Sequence, residues 1–543
     1  MSKRTRSICC ALAFLPLAAM AAPANVSFSQ SAQSVEAHDF LEITVHVSGP
    51  DAPNPFTDVA LEGSFGRSNE AARVAVQGFC DALDGSVYRI RFMPASPGNY
   101  TYQVSFAQGG TKQTHGGSFI AVDGRRKGPI RVDAKYPWHF IWEGTREHYY
   151  FNGTTAFWLA GWRDERFIQS SIERLSRLKV NRIRALLAGD ANIYWGDAVM
   201  QGDNWTMALR PWVAKAPESY DRPGLDFTRF NVPYWQKYER MLRSARERDV
   251  IISVIFDIST HTAQPAAGSE DERRYYRYTV ARLAAFSNVT WDLGDDLDSF
   301  RDEKWTHETG GFLHELDPYK HLASSHPVRR QRQDRAAEWF GFTSIQDWSR
   351  DQHRLMLEER EIQKKTGRII PQANEEYGYE DHYPLWAPPP PGDSADTLRH
   401  VAWDIAMAGA YGTAGESARR GTNVWPDTGG GWINGRGDDT MVMLKGYAHI
   451  VEFLTSFEYW KTEPHDELAG QGAYCLAQPG ELYAVYLPSG GDVPLKLEPG
   501  TYKASWFDAL TGDWVPAGEV NGPSWTSKAP GPHDWALLLT RRR

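Results

Sequence analysis

Short apolar segments alternate with segments of helical periodicity between residues 128 and 465. Helix-like stretches such as Ser170–Lys179 and Tyr234–Asp249 separate segments that are typical of buried strands. Eight strands alternating with helices predict a (β/α)8 TIM barrel, whose active site lies at the C-terminal ends of its strands. The eight predicted strands are Ala156–Trp162, Val180–Leu187, Val250–Asp257, Val289–Asp296, His321–His326, Phe342–Asp347, Arg368–Glu376 and Met407–Glu416.

Two β-rich segments flank the predicted barrel. Residues 22–123 contain alternating apolar and polar segments such as Leu41–Val47 and Tyr100–Phe106, which predict an Ig-like β-sandwich domain. Residues 466–543 return to strand periodicity and predict a small C-terminal antiparallel β-sandwich. The predicted fold is therefore multidomain, with a TIM barrel between two β-domains.

Residues 1–21 have the features of a secretory signal peptide. Three basic residues precede the apolar run Ile8–Met20, and Ala19-Met20-Ala21 forms a cleavage pattern. We therefore expect an exported protein, either periplasmic or secreted. The apolar run is too short to span a bilayer comfortably, and no later segment approaches the length of a membrane span.

The charge balance and the cysteine content exclude several classes of function. The formal net charge is −9, and it becomes −12 without the three basic residues of the signal peptide, so we expect no nucleic-acid partner. Beyond the signal peptide only Cys80 and Cys475 remain, for which two buried thiols are favoured over a disulfide. We expect no cofactor and no metal, and the oligomeric state stays open.

Two pairs of carboxylates follow predicted barrel strands. Asp295 and Asp296 end the fourth strand, and Glu375 and Glu376 end the seventh. Charged groups at these positions need a solvated cleft, a partner or a catalytic task. Two carboxyl groups that face each other across a cleft are what glycoside hydrolysis needs, because one must be protonated and the other ionised. The structural alternative is that nearby acidic residues only cap helices or form ion pairs, as expected for Asp298 or Glu380.

Several motifs, taken in order along the chain, resemble those of one bacterial family. NPFTDVALEGSFG (Asn54–Gly66) resembles a β-sandwich that precedes an apiosidase-like barrel. Within the barrel, the similar segments are Arg273–Asp298, Asp317–Pro327, EEYGYE (Glu375–Glu380), Gly409–Ser417 and Gly429–Gly437. The sequence is thus similar to apiosidase-like glycosidases of glycoside hydrolase family 140.

The resemblance implies a retaining glycosidase of the clan that carries its acid/base on strand four and its nucleophile on strand seven. Asp296 matches the acid/base position, where many relatives have Glu, and the resemblance leaves open whether Asp295 or Asp296 acts. Glu376 matches the nucleophile, directly before Tyr377. Glu375 is expected to turn into the barrel wall, since adjacent strand residues face opposite ways.

Further residues are candidates for substrate binding. Arg184 is a candidate to hold a sugar hydroxyl or orient Glu376, with a structural ion pair as the alternative. Tyr377 is expected to bond the nucleophile, and indole rings in rim loops are expected to stack on sugar, although a core role is the alternative for each. The full set of candidate binding residues is Arg184, Asp257, His261, Asp295, His326, Tyr377, Trp425 and Trp432.

Two other functions remain open at this point. A non-catalytic carbohydrate-binding protein suits the flanking β-domains and the absence of Asn-Glu on strand four. A metal-dependent hydrolase or lyase would draw its ligands from His307, His314, His321 and His326, although the H-E-x-x-H spacing is absent. The sugar, its linkage, and endo or exo action are not determined by the sequence.

Overall fold

The structure is a computed structural model. It describes residues 25–189, 201–202, 204–217, 219, 222–258, 264–329, 331–332, 335–380, 393–416, 431–437 and 442–542. The predicted signal peptide, His261 and Trp425 lie outside these described residues. No helix in the described part of the chain is both long enough and apolar enough to cross a membrane.

The N-terminal region forms two antiparallel-rich sheets that pack face to face. One has the strand order β1-β3-β7-β6 and the other β2-β9-β8-β4-β5. Strict alternation of buried and exposed residues, as in β3, places one face of each sheet in a shared core. The strands are β1 (Asn25–Gln30), β2 (Ser34–Glu36), β3 (Leu41–Ser48), β4 (Val59–Arg67), β5 (Val74–Gln77), β6 (Phe79–Cys80), β7 (Val87–Phe92), β8 (Gly98–Gln108) and β9 (Thr111–Val122).

A small three-stranded sheet leads into the barrel, whose eight strands pair in parallel. Chain neighbours are sheet neighbours in the order β21-β20-β19-β14-β13-β25-β23-β22, and an isolated parallel bridge from Ala323 to Phe340 brings the two edges together. The predicted TIM barrel is confirmed. The strands are β10 (Ile130–Val132), β11 (Phe140–Trp142) and β12 (His148–Tyr149), then in the barrel β13 (Asn152–Thr155), β14 (Arg182–Leu186), β19 (Ile251–Ile255), β20 (Val289–Asp292), β21 (Ala323–Ser324), β22 (Thr343–Gln346), β23 (Gln372–Glu376) and β25 (Tyr411–Glu416).

Helices surround the barrel and short strands extend its loops. Amphipathic spacing explains α1, which buries Ile168, Ile172 and Leu175 on one face and is capped by Asp164. The described helices are α1 (Glu165–Arg177), α2 (Val232–Arg246), α3 (Glu270–Leu283), α4 (Glu303–Leu316), α5 (Gln352–Thr366), α6 (Ala395–Met407), α7 (Gly431–Asn434) and α8 (Met443–Leu454). The loop strands are β15 (Gln201–Gly202), β16 (Trp205–Thr206), β17 (Trp212–Ala214), β18 (Leu225–Phe230) and β24 (Tyr379–Glu380).

The C-terminal region is an antiparallel β-domain with its own hydrophobic core. Its main sheet has the order β26-β27-β28-β33-β30-β31, and β29 pairs with β32 in a second sheet. Cys475 lies in this region and Cys80 in the N-terminal one, and both are buried free thiols, as expected. The strands are β26 (Glu463–Pro464), β27 (Tyr474–Gln478), β28 (Leu482–Leu487), β29 (Asp492–Lys496), β30 (Thr501–Asp508), β31 (Trp514–Asn521), β32 (Ser524–Lys528) and β33 (Trp535–Arg541).

Two predicted strand positions are wrong. The first barrel strand is Asn152–Thr155, whereas the apolar segment Ala156–Trp162 follows it and contains a short 3-10 helix, Leu159–Gly161. The fourth strand ends at Asp292 rather than at Asp296. Apolar composition misled the first assignment, because the loop at this end of the barrel is itself buried.

Candidate active site

The predicted carboxylates lie at the C-terminal ends of two strands that are not sheet neighbours, β20 and β23. After β20 the chain continues through Gly294 to Asp295 and Asp296. Asp296 has a positive φ of 51° and precedes the 3-10 helix Leu297–Ser299. A positive φ is uncommon for a residue other than glycine, and such conformations concentrate at functional sites.

A β-bulge on β23 turns two successive glutamates inward. Ile345 of β22 pairs with Asn374, but the next residue, Gln346, pairs with Glu376, so that Glu375 is the extra residue. Glu375 forms a fully buried ion pair with Arg182 of β14, a strand that is not its neighbour in the sheet. The pair therefore crosses the barrel interior. The expectation that Glu375 turns into the barrel wall is wrong, because the bulge interrupts the strand alternation on which it was based.

A compact charged cluster lies above this ion pair. Arg184 Nη2 donates to Asp295 Oδ1 at 2.7 Å and to Asp292 Oδ2 at 3.3 Å. His326 Nε2 lies 3.6 Å from Asp295 Oδ1 and 3.4 Å from Glu376 Oε2. All of these side chains are buried. The fold thus brings together Arg184, Asp295, His326 and Glu376, which are distant from one another in the sequence.

The two proposed catalytic groups have pKa values shifted in opposite directions. Burial and then the negative charges of Asp295 and Glu376 raise the pKa of Asp296 to about 8. Burial by itself would raise the pKa of Glu376, but the facing His326 and the charge of Arg184 outweigh it and lower that pKa. At neutral pH the site therefore holds one protonated and one ionised carboxyl group, which are the states that a general acid and a nucleophile need.

The carboxyl group of Asp296 has no structural task among the described residues. It is half-buried, accepts no hydrogen bond from them, and does not cap the 3-10 helix that follows it. Asp295, by contrast, is held by Arg184. Asp298 and Glu380 have structural roles, as the alternative interpretation expected: Asp298 accepts from the backbone of Val328, and Glu380 from two backbone amides at the start of α8.

Asp257 lies beside the cluster, two residues after the end of β19. Its backbone oxygen accepts a hydrogen bond from the amide of Asp295 at 3.0 Å, which ties the ends of the third and fourth strands together. Burial raises the pKa of Asp257 well above its ordinary value, and its Oδ1 has no hydrogen-bond partner in the described part of the chain. Burial therefore favours the neutral form of this aspartate.

Tyr379, and not the predicted Tyr377, is the tyrosine of the Tyr-Gly-Tyr motif that lies near the carboxylates. The ring of Tyr377 packs against Tyr447 of α8, with ring centroids 6.0 Å apart, and against Gly412. These contacts place the Tyr377 ring between the barrel and its helices. Tyr379 is the tyrosine near the carboxylates: burial and then the charges of Glu376 and Asp295 raise its pKa well above the ordinary value. A side chain at Gly415 of β25 would overlap the ring of Tyr379, so the glycine provides its space.

Trp432 does not form the expected sugar-stacking platform. It is buried with 3% of its surface exposed, and it packs against Phe157 and, at 5.2 Å, against Tyr379. The half-buried Trp348, missed in the sequence, also contacts this tyrosine, with ring centroids 5.6 Å apart. Its position two residues after β22 was the available signal, since side chains at strand ends point to the site.

The histidines of the possible metal set have different roles. His321 bonds Asp317 at 2.8 Å, which also accepts from Trp291, so it is structural. Asp295, His326 and Glu376 offer donor atoms within 4.8 Å of one another, a spacing at which a metal could be held. However, Arg184 already binds Asp295. Burial and the charge of Arg184 lower the pKa of His326, but Asp295 and Glu376 outweigh them and raise it, which disfavours the neutral imidazole that binds a metal.

Comparison with known proteins agrees with this geometry. Residues 195–416 match the family model of the apiosidase-like catalytic domain, and residues 34–107 match that of a domain of unknown function, DUF5060. The barrel is therefore similar to an apiosidase-like catalytic domain over these residues. The apiosidase-like match spans β20 to β25 and therefore includes both carboxylate pairs and His326. This match and the fold support a glycosidase.

Solved structures share the architecture of this protein. A candidate glycoside hydrolase from Bacteroides vulgatus ATCC 8482 aligns with a TM-score of 0.76 at 21% identity, over 94% of this chain and 100% of that one. A glycoside hydrolase family 5 protein from the same organism aligns with a TM-score of 0.60 at 15% identity, over 76% of this chain and 93% of that one. No curated protein matches the sequence. At these identities, the similarities show the fold.

Proposed function

We propose that this protein is a retaining glycoside hydrolase that acts on an oligo- or polysaccharide by double displacement. The observation that carries the proposal is the pair of carboxyl groups at the C-terminal ends of strands four and seven, Asp296 and Glu376, whose pKa values are shifted in opposite directions. Retention is supported by the resemblance to a clan that carries its acid/base on strand four and its nucleophile on strand seven, the positions that Asp296 and Glu376 match.

The mechanism has two steps. In the first, a Glu376 oxygen bonds to the anomeric carbon while the bond to the leaving oxygen breaks, and Asp296 transfers its proton to that oxygen. In the second, the Asp296 carboxylate takes a proton from water, the water oxygen bonds to the anomeric carbon, and the bond to Glu376 breaks. Arg184 and His326 keep Glu376 ionised before attack.

Product stereochemistry and two variants test the proposal. A panel of plant and microbial glycans is incubated with the protein, and NMR records the anomeric configuration of the first product. We expect retention, and loss of turnover in Glu376→Gln, whereas azide should restore cleavage of an activated glycoside in Glu376→Ala. Asp298→Asn is the matched control and should stay active. An inverted product, or full activity of Glu376→Gln, contradicts the mechanism.

The same panel separates the two alternatives. Glycan binding without any turnover would indicate a carbohydrate-binding protein. The spacing of Asp295, His326 and Glu376 favours a metal-dependent hydrolase as the second candidate. Activity that is lost on exhaustive chelation and returns with an added divalent metal would establish that candidate, whereas the proposed mechanism expects unchanged activity.

We also propose export, with cleavage after Ala21. The support is the order of a basic start, an apolar run and a small-residue cleavage pattern in residues 1–21. N-terminal sequencing of the protein expressed in a Gram-negative host should give Ala22 as the first residue. A chain that keeps its first 21 residues in the cytoplasmic fraction contradicts export.

A further inference from the structure

A large groove separates the N-terminal β-sandwich from the barrel. Its volume is about 660 Å³, within the range of roughly 300–1,000 Å³ that small-molecule sites occupy. The outer face of the sheet β2-β9-β8-β4-β5 forms the floor. The C-terminal part of α3 and the segment after α4 form the opposite wall.

Polar side chains cross the floor in a ladder. Thr114, Ser105, Glu62 and Gln77 are successive cross-strand partners on β9, β8, β4 and β5. Residues two positions apart on a strand face the same side of the sheet. Gln103, two residues before Ser105, and its cross-strand partner Ser64 therefore form the next row. With strands about 4.8 Å apart, four strands make a row of hydrogen-bonding groups about 14 Å long.

The part of the facing wall at the end of α3 is apolar and made of small side chains. Val280, Ala281, Ala284 and Ala285 line it, and the half-buried Tyr319 closes one end. A sugar ring is amphipathic in the same way, with apolar C–H faces and hydroxyl groups around its edge. A slot with one apolar and one hydrogen-bonding wall therefore matches the two surfaces of a carbohydrate chain.

The groove is separate from the candidate active site. Helix α3 ends shortly before β20 begins, and Tyr319 precedes β21, so the groove lies toward the N-terminal ends of the barrel strands. The carboxylates lie at the C-terminal ends. The exposed charges on the lining, Glu62, Lys112 and Glu315, include more acidic than basic groups, which disfavours a polyanionic ligand.

We propose that this groove is a second carbohydrate-binding site, which holds an uncharged stretch of a glycan chain outside the catalytic cleft. The class of ligand rests on the proposed glycosidase function, whereas the site itself rests on the cavity, the polar ladder and the apolar wall. A site of this kind increases the local concentration of a polysaccharide at the enzyme by binding a second part of the same chain.

Isothermal titration calorimetry on the full chain tests the proposal. The background variant is Glu376→Gln, which prevents consumption of the ligand. The probes are linear hexasaccharides of glucose, mannose, galactose, xylose and arabinose. Two groove variants are compared, Gln77→Ala/Gln103→Ala and the space-filling Ser105→Tyr. The control is Gln33→Ala/Asn99→Ala, two exposed amides in the same β-sandwich that do not line the groove.

We expect at least one hexasaccharide to bind at two sites per chain. Both groove variants should lose one site or weaken it at least roughly tenfold, because one removes two hydrogen-bonding side chains and the other fills the groove. The control should keep both sites, and circular dichroism should give the same melting temperature for all variants. Unchanged binding in both folded groove variants, or the absence of a groove-dependent site with every sugar, overturns the proposal.

The outcome also separates this proposal from the proposed function. Groove-dependent binding by a protein whose wild-type form cleaves no glycan supports the groove and contradicts the glycosidase. Cleavage of a panel sugar by the wild type, with binding that the groove variants leave unchanged, contradicts the groove alone.

Discussion

At the scale of single residues, Asp295 and Asp296 show how neighbours acquire different tasks. Arg184 donates to Asp295 and holds its carboxylate in place. Asp296 takes no part in that ion pair, and its pKa is raised to about 8 by burial and by the negative groups beside it. The pair of adjacent carboxylates was visible in the sequence, but their division of roles depends on a backbone turn that was not.

The leaving group should reveal which aspartate is the acid. We expect Asp296→Asn to lose at least roughly a hundredfold in the rate of cleaving a natural glycosidic bond, because the leaving oxygen needs a proton. A dinitrophenyl leaving group needs no proton. The rate of the first step with a dinitrophenyl glycoside should therefore change little in Asp296→Asn, as measured by burst kinetics. Asp295→Asn should impair both substrates, because it disturbs Arg184. The reverse pattern would assign the acid to Asp295.

The pH profile follows from the raised pKa of Asp296. In the proposed mechanism the protonated form is the acid, so kcat/KM should be highest below about pH 8 and fall tenfold per pH unit above it. Initial rates across pH 5 to 10 measure this decrease in kcat/KM at high pH. Asp296→Asn, assayed on the dinitrophenyl glycoside, should not show the decrease. A decrease that persists in this variant would belong to another titrating group.

At the scale of elements, the bulge in β23 is what lets one strand supply two inward glutamates. Glu375 fills the interior with Arg182, and Glu376 reaches the site. Alternation along an ideal strand would have sent one of them outward. A register shift of this kind leaves no mark in hydrophobic periodicity, so the sequence could place the strand but not the orientation of Glu375.

Removing one partner of the buried pair should be costly. Glu375→Gln leaves Arg182 charged and unpaired in the interior, which should lower the free energy of unfolding by about 3–5 kcal/mol. The double variant Arg182→Met/Glu375→Met should recover part of this loss. Urea unfolding is the measurement, and Glu361→Gln, which removes an exposed pair with Lys364, should change stability by at most about 0.5 kcal/mol. A Glu375→Gln protein as stable as this control would contradict the argument.

Tyr377 and the first barrel strand are two further cases in which the sequence pattern predicted the region correctly but not the exact residues. The motif Tyr-Gly-Tyr identified the right loop, but Gly378, with a φ of 148°, redirects the chain so that Tyr379 lies near Glu376. The strand Asn152–Thr155 is polar in composition yet fully buried, and the more apolar segment after it forms a loop. Composition predicted the alternation of strands and helices, whereas local turns determine which side chains reach the active site.

At the scale of the whole molecule, a buried network of charges joins the N-terminal β-sandwich to the barrel helices. Arg91 of β7 forms two hydrogen bonds of 2.9 Å to Glu239 of α2, and Arg282 of α3 contacts both Glu239 and Asp81. Tyr278 also donates to the backbone oxygen of Cys80 at 2.8 Å. The two regions are therefore linked by paired groups that would be costly to separate.

Acid should weaken this junction. Burial by itself would raise the pKa values of Asp81 and Glu239, but the arginines outweigh it and lower both below their ordinary values of 3.8 and 4.5. Their contribution to stability is therefore present above those values and lost as the pH falls toward the folded-state pKa values. Glu239→Gln should lower stability at pH 7 and reduce its dependence on pH between about 5 and 2, measured by thermal unfolding. Glu247→Gln at the exposed end of α2 should behave as wild type.

The fit of Tyr379 against Gly415 has a consequence for sequence divergence. Any side chain at position 415 overlaps the tyrosine ring, so a lineage that gains one there must first replace or move the ring. The two positions, on strands that pair with each other, should therefore be inherited as a unit. A descendant in which either residue has changed is expected to have a different arrangement around the neighbouring carboxylates. It is therefore also expected to cleave a different bond.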